Sequence, residues 1–203
     1  MSPITTIFFD IGGVCLSNAW DHEQRQQVAR QLGFDYESFD SRHRQVVDAL
    51  ERGQLTLDEY LQWTLFYEPR SFSHEDVIRA IQQLSTPFSD TLKIVKALHD
   101  SGRYLLATIN NESRELNEYR IQRFELSNLF TAFFTSCYLG LVKPLPEHYR
   151  RAMQITHRQP DQCLYIDDRP MNVEVARILG MHPIQFKDAG QLEAEVRAAG
   201  VSF

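Results

Sequence analysis

Short apolar runs alternate with longer amphipathic segments over most of this chain. Five such runs predict buried strands, at positions 5–10, 104–109, 132–136, 163–166 and 184–186. Helical spacing of apolar residues predicts helices around the later strands, at positions 90–100, 113–126, 146–157, 171–179 and 191–199. Because strands and helices alternate, we expect a parallel sheet with helices on its faces.

Residues 18–85 interrupt this alternation. Four helical patterns follow one another there with no strand between them, at positions 22–32, 36–52, 56–67 and 74–84. Gly33 and Gly53 fit the glycine that ends many helices, and Thr56 with Glu59 matches the capping box that begins one. The sequence therefore predicts an α/β fold. In it, a Rossmann-like parallel sheet core (residues 1–17 and 86–203) has a helical-bundle cap (residues 18–85) inserted after the first strand.

The amino-acid composition limits the classes of binding partner and the cellular compartment that we expect for this protein. The 203 residues include 21 Lys+Arg and 27 Asp+Glu, for a formal net charge of −6. Only 4 of the cationic residues are lysines and no polybasic segment occurs, so we expect neither nucleic acid nor an anionic membrane surface as a partner. No signal peptide or membrane span is recognisable, and the three cysteines are far apart, which favours a reducing cytoplasm. The oligomeric state is not indicated.

Acidic residues follow two of the predicted strands. Asp10 ends the first strand and precedes Gly12-Gly13, where the backbone can approach an anion or a metal closely. Asp167 and Asp168 end the fourth strand, and α/β sheets bind ligands at this edge. Two adjacent carboxylates repel each other and need a cation, and hard oxygen ligands favour Mg²⁺ over zinc. A plain turn at Asp10 and a helix N-cap among the later acids are the structural alternatives.

Groups that suit a phosphate follow the other strands. Thr108 is expected to end the second strand, with Asn110 and Asn111 just beyond it, and Lys143 follows the third. A hydroxyl can donate a hydrogen bond to a phosphate oxygen, and a lysine supplies a point charge. Trp20, in the segment that connects the first strand to the cap, is the aromatic residue best placed to line a substrate pocket.

Taken in order, Asp10, Thr108, Lys143 and the Asp167-Asp168 pair resemble the four motifs of the haloacid dehalogenase-like (HAD) hydrolase superfamily. The resemblance covers the whole chain, because the helical insert is similar to that superfamily's helical cap. The segments Asp-x-Gly-Gly-Val, Gly-Leu-x-Lys-Pro and Asp-Asp-Arg-x-x-Asn-Val-Glu are especially similar to those of small bacterial sugar-phosphatases and of the phosphatase-like domain of soluble epoxide hydrolases.

This resemblance implies a magnesium-dependent phosphatase that acts on a small phosphorylated metabolite. Asp10 would attack phosphorus to form an aspartyl-phosphate, which water then hydrolyses. The ligands of Mg²⁺ would be Asp10, the backbone carbonyl of Gly12 and Asp167, with Asp168 bound to the ion either directly or through water. The groups that bind phosphate would be Thr108, Lys143 and, as a further donor, Asn110.

One position departs from the family pattern. Most phosphatases of the superfamily have a second Asp two residues after the nucleophile, which acts as a general acid, and this chain has Gly12 there. The magnesium site survives because the family takes that metal contact from the backbone. Proton transfer, typically worth about 10²–10⁴ in rate, loses its usual carrier. We expect a cap group such as His22 or His43, or an ordered water, to replace it, unless the leaving group departs unaided.

Two other functions stay open. A dehalogenase would use Asp10 to attack carbon and displace halide, and this chemistry needs no cation, so the Asp167-Asp168 pair argues against it. A non-catalytic HAD-like binding or regulatory protein would account for Gly12. A non-catalytic protein would, however, have no physical need for Asp10, Thr108, Lys143 and Asp167 to occur together.

Overall fold

The computed structural model describes residues 3–203 and contains a five-stranded sheet. Its strands are β1 (Thr6–Phe9), β2 (Leu105–Asn110), β3 (Ala132–Thr135), β4 (Cys163–Asp167) and β5 (His182–Gln185). They lie in the order β3-β2-β1-β4-β5, and every pairing is parallel. The chain moves outward from β1 to β3 and then returns to the other side of β1. This reversal opens a crevice at the carboxyl end of β1, where sheets of this kind bind ligands.

The helices separate into a group that covers the sheet and a group, α1 to α4, that is inserted between the first and second strands. In chain order they are α1 (His22–Leu32), α2 (Tyr36–Glu51), α3 (Leu57–Thr64), α4 (His74–Gln83), α5 (Ser89–Asp100), α6 (Arg114–Arg123), α7 (Ser136–Leu139), α8 (Pro146–Thr156), α9 (Pro170–Ile178) and α10 (Ala189–Ala198). Ile7 and Phe9 of β1 pack with α5 and α10, whereas Phe8 packs with α8 and α9. Successive strand residues point to opposite faces, so one short apolar strand supports both layers.

Helices α1 to α4 pack around an apolar cluster of their own, which forms the predicted cap. Its members include Phe39, Tyr60, Leu61 and Ile81, and Leu116 of α6 joins it from the core side. The chain crosses between cap and sheet at residues 15–17 and 86–88, and these two segments pair with each other. Ser17 N–H donates to the Thr86 carbonyl at 2.8 Å, and Phe88 N–H donates to the Cys15 carbonyl at 2.9 Å. The exact boundaries at residues 18 and 85 stay a prediction.

The predicted elements agree with the structure apart from a few ends. β5 begins at His182 and includes Pro183, which has no N–H to donate but is tolerated because β5 is an edge strand. α6 ends at Arg123 because Glu125 takes a left-handed backbone with φ of 52°. The four-residue helix α7 was not predicted, since so short a segment shows no periodicity. Among residues 3–203, no helix has the length and apolar character needed to cross a membrane.

Candidate active site

Three carboxylates meet at the carboxyl edge of β1 and β4. Phe9 pairs with Ile166, and the Asp10 N–H donates to the Ile166 carbonyl at 2.8 Å. Asp10 and Asp167 are therefore the next residues along two adjacent parallel strands. One oxygen atom from each of Asp10, Asp167 and Asp168 lies within 4.8 Å of the others. The predicted side-chain metal ligands are thus brought together.

The ammonium group of Lys143 bridges two of these carboxylates. Its Nζ lies 2.9 Å from Asp10 Oδ2 and 2.7 Å from Asp167 Oδ2, and the side chain is buried. Asn111 fixes the loop that holds this lysine. Its Oδ1 accepts from the Lys143 N–H at 2.8 Å, and its Nδ2 donates to the Lys143 carbonyl at 3.0 Å. A single ammonium among three carboxylates leaves negative charge that a further cation would compensate.

Asp167 is held as an acceptor by several donors. Asn172 Nδ2 lies 3.0 Å from each carboxylate oxygen, the Arg169 N–H donates to Oδ1 at 2.8 Å, and the Tyr165 hydroxyl donates to Oδ2. With Lys143 added, both oxygens accept hydrogen bonds, and these donors restrain rotation of the side chain. The carboxylate is therefore fixed in position at the edge of the sheet.

Burial and charge shape the ionisation of these groups. Burial raises the pKa of Asp10 to about 7, an effect that Lys143 opposes and the Asp167 carboxylate reinforces. Burial also disfavours the charged form of Asp167, but the Lys143 ammonium prevails and holds its pKa below the usual range. Burial and the neighbouring Asp167 carboxylate raise the pKa of Asp168. A bound cation would favour the ionised form of all three acids.

The surroundings of Asp168 test whether these residues fit a metal. Its Oδ1 is buried and has no hydrogen-bond partner within the part of the chain that the structure describes. A Cβ atom on Gly13 would lie 2.4 Å from Asp168 Oδ2, so a glycine is required beside this carboxylate. A carboxylate oxygen that is buried without a donor, next to two other carboxylates, fits a hard divalent cation such as Mg²⁺.

A cavity of about 390 Å³ lies over these groups, between the sheet edge and the cap. This is within the size range of small-molecule sites. Its core-side residues include Asp10, Gly12, Glu112, Arg120, Lys143 and Arg169. Its cap-side residues include Trp20, Arg25, His43, Leu50 and Glu51. The reacting groups of the core therefore face side chains supplied by the cap.

Trp20 is at the cavity wall, as predicted, but Thr108 and Asn110 are not. β2 continues through Asn110, so the prediction that Thr108 ends the strand is wrong, because pairing with β3 extends two residues further. The Thr108 side chain is fully buried and its hydroxyl donates to Asn110 Oδ1 at 3.1 Å. Asn110 Nδ2 donates in turn to Asn117 Oδ1 at 3.3 Å. Phosphate binding by these two residues stays a prediction.

The two cap histidines differ in location. His43 lines the cavity, and its Nδ1 hydrogen-bonds the Tyr60 hydroxyl at 2.8 Å. Burial lowers the pKa of His43 to about 4, so its ring is neutral at pH 7 and has no acidic proton of an imidazolium to give. His22 is not part of the cavity wall and instead contacts the Tyr36 hydroxyl at 2.9 Å. The location of His22 outside the cavity wall and the neutral ring of His43 make both residues poorly suited to act as the general acid.

Several polar residues of the cavity were missed in the sequence. They are Asn18, Arg25, Glu51, Glu112 and Arg120. Three of them lie on helices, where an isolated charged residue is usually on a solvated face. Only the tertiary packing therefore shows that these residues line the cavity. The position of Glu112 in the sequence was a weak indication that it lies at the site, because it comes two residues after the end of β2. Its carboxylate is 2.8 Å from Arg120 Nη1.

Comparisons with known proteins agree with this architecture. The family model described as haloacid dehalogenase-like hydrolase matches residues 4–180. Flavin mononucleotide hydrolase 1 of Arabidopsis thaliana is 34% identical over 80 residues, which are 39% of this chain and 33% of the relative. Bifunctional epoxide hydrolase 2 of Rattus norvegicus is 24% identical over 139 residues, 66% of this chain and 25% of the relative. The chain spans a quarter to a third of the length of these relatives.

Solved structures share the fold over nearly the whole chain. A HAD family enzyme of Bacteroides thetaiotaomicron has a TM-score of 0.81 at 19% identity, covering 92% of this chain and 95% of that one. The same enzyme in complex with magnesium and inorganic phosphate has a TM-score of 0.75 at 18% identity, covering 91% and 95%. A HAD-like hydrolase of Porphyromonas gingivalis has a TM-score of 0.77 at 22% identity, covering 99% and 100%.

A family match over most of the chain thus accompanies the sheet order, the helical cap and the carboxylates at the edge of the sheet. This chain belongs to the haloacid dehalogenase-like hydrolases.

Proposed function

We propose that the protein is a magnesium-dependent phosphatase that hydrolyses a small phosphorylated metabolite through an aspartyl-phosphate intermediate. The observation that supports this most directly is the convergence of three carboxylates and the Lys143 ammonium beneath a cavity of small-molecule size. The related Bacteroides enzyme, whose structure contains magnesium and inorganic phosphate, supports the same class of reaction.

Asp10 is the nucleophile in this proposal. Its Oδ attacks phosphorus, and Lys143, already 2.9 Å from Asp10 Oδ2, offsets the charge of the incoming phosphate. Asp10, the backbone carbonyl of Gly12, Asp167 and Asp168 would hold Mg²⁺. When bound, this ion would screen the repulsion between the phosphate and the carboxylates. Trp20 lines the cavity and is hydrogen-bonded through Nε1 to the Tyr60 hydroxyl at 3.1 Å, so its ring is held in place to contact the substrate.

An aryl phosphate assay tests the proposal. The wild-type protein should release phosphate with Mg²⁺, lose activity in EDTA, and recover it when Mg²⁺ is returned. Asp10→Asn should abolish turnover, whereas Asp90→Asn, at an exposed carboxylate of α5, should leave it unchanged. A panel of sugar phosphates, together with flavin mononucleotide because of the Arabidopsis relative, would then identify the substrate class.

Other outcomes would support the alternative functions. Halide release from a haloacid in the presence of EDTA would favour a dehalogenase that uses the same Asp10. A well-folded preparation that is inert toward every activated phosphoester, with Mg²⁺ present, would favour a non-catalytic binding protein.

A further inference from the structure

The cavity has no acid at position 12, but the cap places another carboxyl group in it. Glu51 occupies the last position of α2, and its Oε2 lies 3.4 Å from Asn111 Nδ2. Asn111 is the residue that binds the backbone of Lys143, whose ammonium contacts Asp10. The Glu51 carboxyl group is therefore linked to the proposed nucleophile through Asn111 and Lys143, and Glu51, Asn111 and Lys143 line the same cavity as Asp10.

Contacts of the two residues that follow Glu51 hold this end of α2 against the core. Arg52 Nη1 donates to the Gly140 carbonyl at 2.8 Å. Gly53 packs so closely on α7 that a Cβ atom at this position would lie 2.1 Å from the Cys137 carbonyl oxygen. The position of Glu51 over the core is thus set by the Arg52 side chain and by the close packing of Gly53, which follow it in the chain.

The charges around Glu51 leave it without a cationic partner. The charged groups that act on it most strongly are Glu112, Arg169, Asp48 and Asp21. These are already paired: Arg169 with Asp21 at 2.7 Å, Asp48 with Arg52 at 2.7 Å, and Glu112 with Arg120 at 2.8 Å. None of the ion pairs formed within residues 3–203 includes Glu51. Burial, reinforced by the Glu112 carboxylate, raises the pKa of Glu51 to about 7.

The other titratable residues of the cavity are less suited to carry a proton. Burial raises the pKa of Glu112 as well, but the Arg120 guanidinium at 2.8 Å opposes this shift and holds the carboxyl group in an ion pair. His43 is neutral at pH 7 and engaged with Tyr60. Glu51 is the carboxyl group that combines access to the cavity, a fixed position and freedom from an ion pair.

We propose that Glu51 is the proton carrier of the reaction and replaces the acid that is missing at position 12. This inference rests on the proposed phosphatase function. In the first step, Asp10 Oδ forms a bond to phosphorus and the bond from phosphorus to the leaving oxygen breaks. The leaving oxygen takes the electron pair and receives the proton of the Glu51 carboxyl group, so that an alcohol departs and Glu51 becomes a carboxylate.

In the second step, a water oxygen forms a bond to phosphorus while Glu51 accepts one proton from that water. The bond from phosphorus to Asp10 breaks and its electron pair returns to the Asp10 carboxylate. Inorganic phosphate is released, and both acids return to their initial states. The proton balance of the cycle therefore closes without any other acid in the cavity.

Leaving-group dependence tests the role of Glu51. We would measure kcat/KM with Mg²⁺ for an alkyl phosphate and for a series of aryl phosphates whose phenols span a range of pKa values. Glu51→Gln, which keeps the shape but cannot donate an acidic proton, should reduce kcat/KM for the alkyl phosphate by about 10²–10⁴. It should reduce kcat/KM for the most activated aryl phosphate by less than about tenfold, because that leaving group needs little protonation. Glu37→Gln, at an exposed position of the same helix, is the matched control and should change neither value.

A pH profile gives a second readout that a merely structural role would not alter. For the alkyl phosphate, wild-type kcat/KM should fall as pH rises above about 7, because Glu51 loses its proton. This limb should be absent in Glu51→Gln and present in Glu51→Asp, which retains a carboxyl group. A Glu51→Gln protein that loses activity equally on all phosphates, or keeps the alkaline limb, would overturn the role of Glu51 and leave the phosphatase function standing. A wild-type protein inert toward every phosphate would refute the phosphatase function itself.

Discussion

Gly53→Ala tests the contact that docks the cap onto the core, and Gly33→Ala is its matched control. Both glycines follow a cap helix and have a left-handed backbone, with φ of 68° and 74°. A methyl group at Gly33 would meet no atom within 4 Å, whereas at Gly53 it would lie 2.1 Å from the Cys137 carbonyl oxygen. Because that oxygen belongs to the backbone of α7, it cannot move aside as a flexible side chain would. The end of α2 must therefore withdraw from the core.

The two variants should differ by the cost of this steric conflict alone. The left-handed backbone costs an alanine about 1–2 kcal/mol at either position. Overpacking at Gly53 adds about 1–3 kcal/mol. For a chain of this size, each kcal/mol lowers the melting temperature by about 2–4 °C. Thermal and urea unfolding would measure the difference, and phosphatase assays should show normal KM for Gly33→Ala and a raised KM for Gly53→Ala. Equal losses of stability with equal activity would refute the docking contact.

Three further predictions concern the metal, the buried network and acid stability. Mg²⁺ at about 100 times its Kd should raise the free energy of unfolding by about 2.7 kcal/mol, and Asp168→Asn should remove most of the corresponding shift in melting temperature. Thr108→Val should cost about 1 kcal/mol through the lost hydrogen bond to Asn110 and raise KM for an aryl phosphate, and an unchanged KM would refute the predicted contact with phosphate. Burial lowers the pKa of both His43 and His148 to about 4, below the value of 6.5 in the unfolded chain. The free energy of unfolding that these neutral histidines contribute above pH 6.5 is therefore lost as pH falls toward 4. Urea unfolding at pH 7 and pH 5 should show a loss of about 1–2 kcal/mol per histidine, and His43→Gln should lose less between these two conditions.

The sequence predicted the sheet and the cap because local signals agreed with the global fold. β1 is a short apolar run whose residues serve both layers, and Thr56 with Glu59 forms the capping box that its pattern predicted. The convergence of the predicted side-chain metal ligands followed from the rule that polar residues at the carboxyl ends of parallel strands meet at one edge. Asp10, Asp167 and Asp168 could therefore be assembled without coordinates.

The environment of the site could not be predicted in the same way. Thr108 was placed at the wrong point because an apolar residue, Ile109, follows it and the strand runs on through Asn110. Glu51 lies at the end of an amphipathic helix, where a charged residue normally faces solvent. Its partial burial arises from the docking of α2 on α7 and the residue after it, a contact between residues more than 80 positions apart in the chain. No local pattern encodes such a contact.

The packing around position 12 explains why the proton carrier belongs on the cap. A Cβ atom on Gly12 would lie 2.8 Å from Asn18 Oδ1 and 3.7 Å from Arg120 Nη1. A carboxyl group added there would be drawn toward the guanidinium, which favours the ionised form and makes a poor acid at neutral pH. Glu51, without a cation partner, has the opposite electrostatic environment. Proton transfer then depends on a docked cap, so Gly53→Ala and Glu51→Gln should both impair poor leaving groups most. Their combination should impair them little more than Glu51→Gln alone.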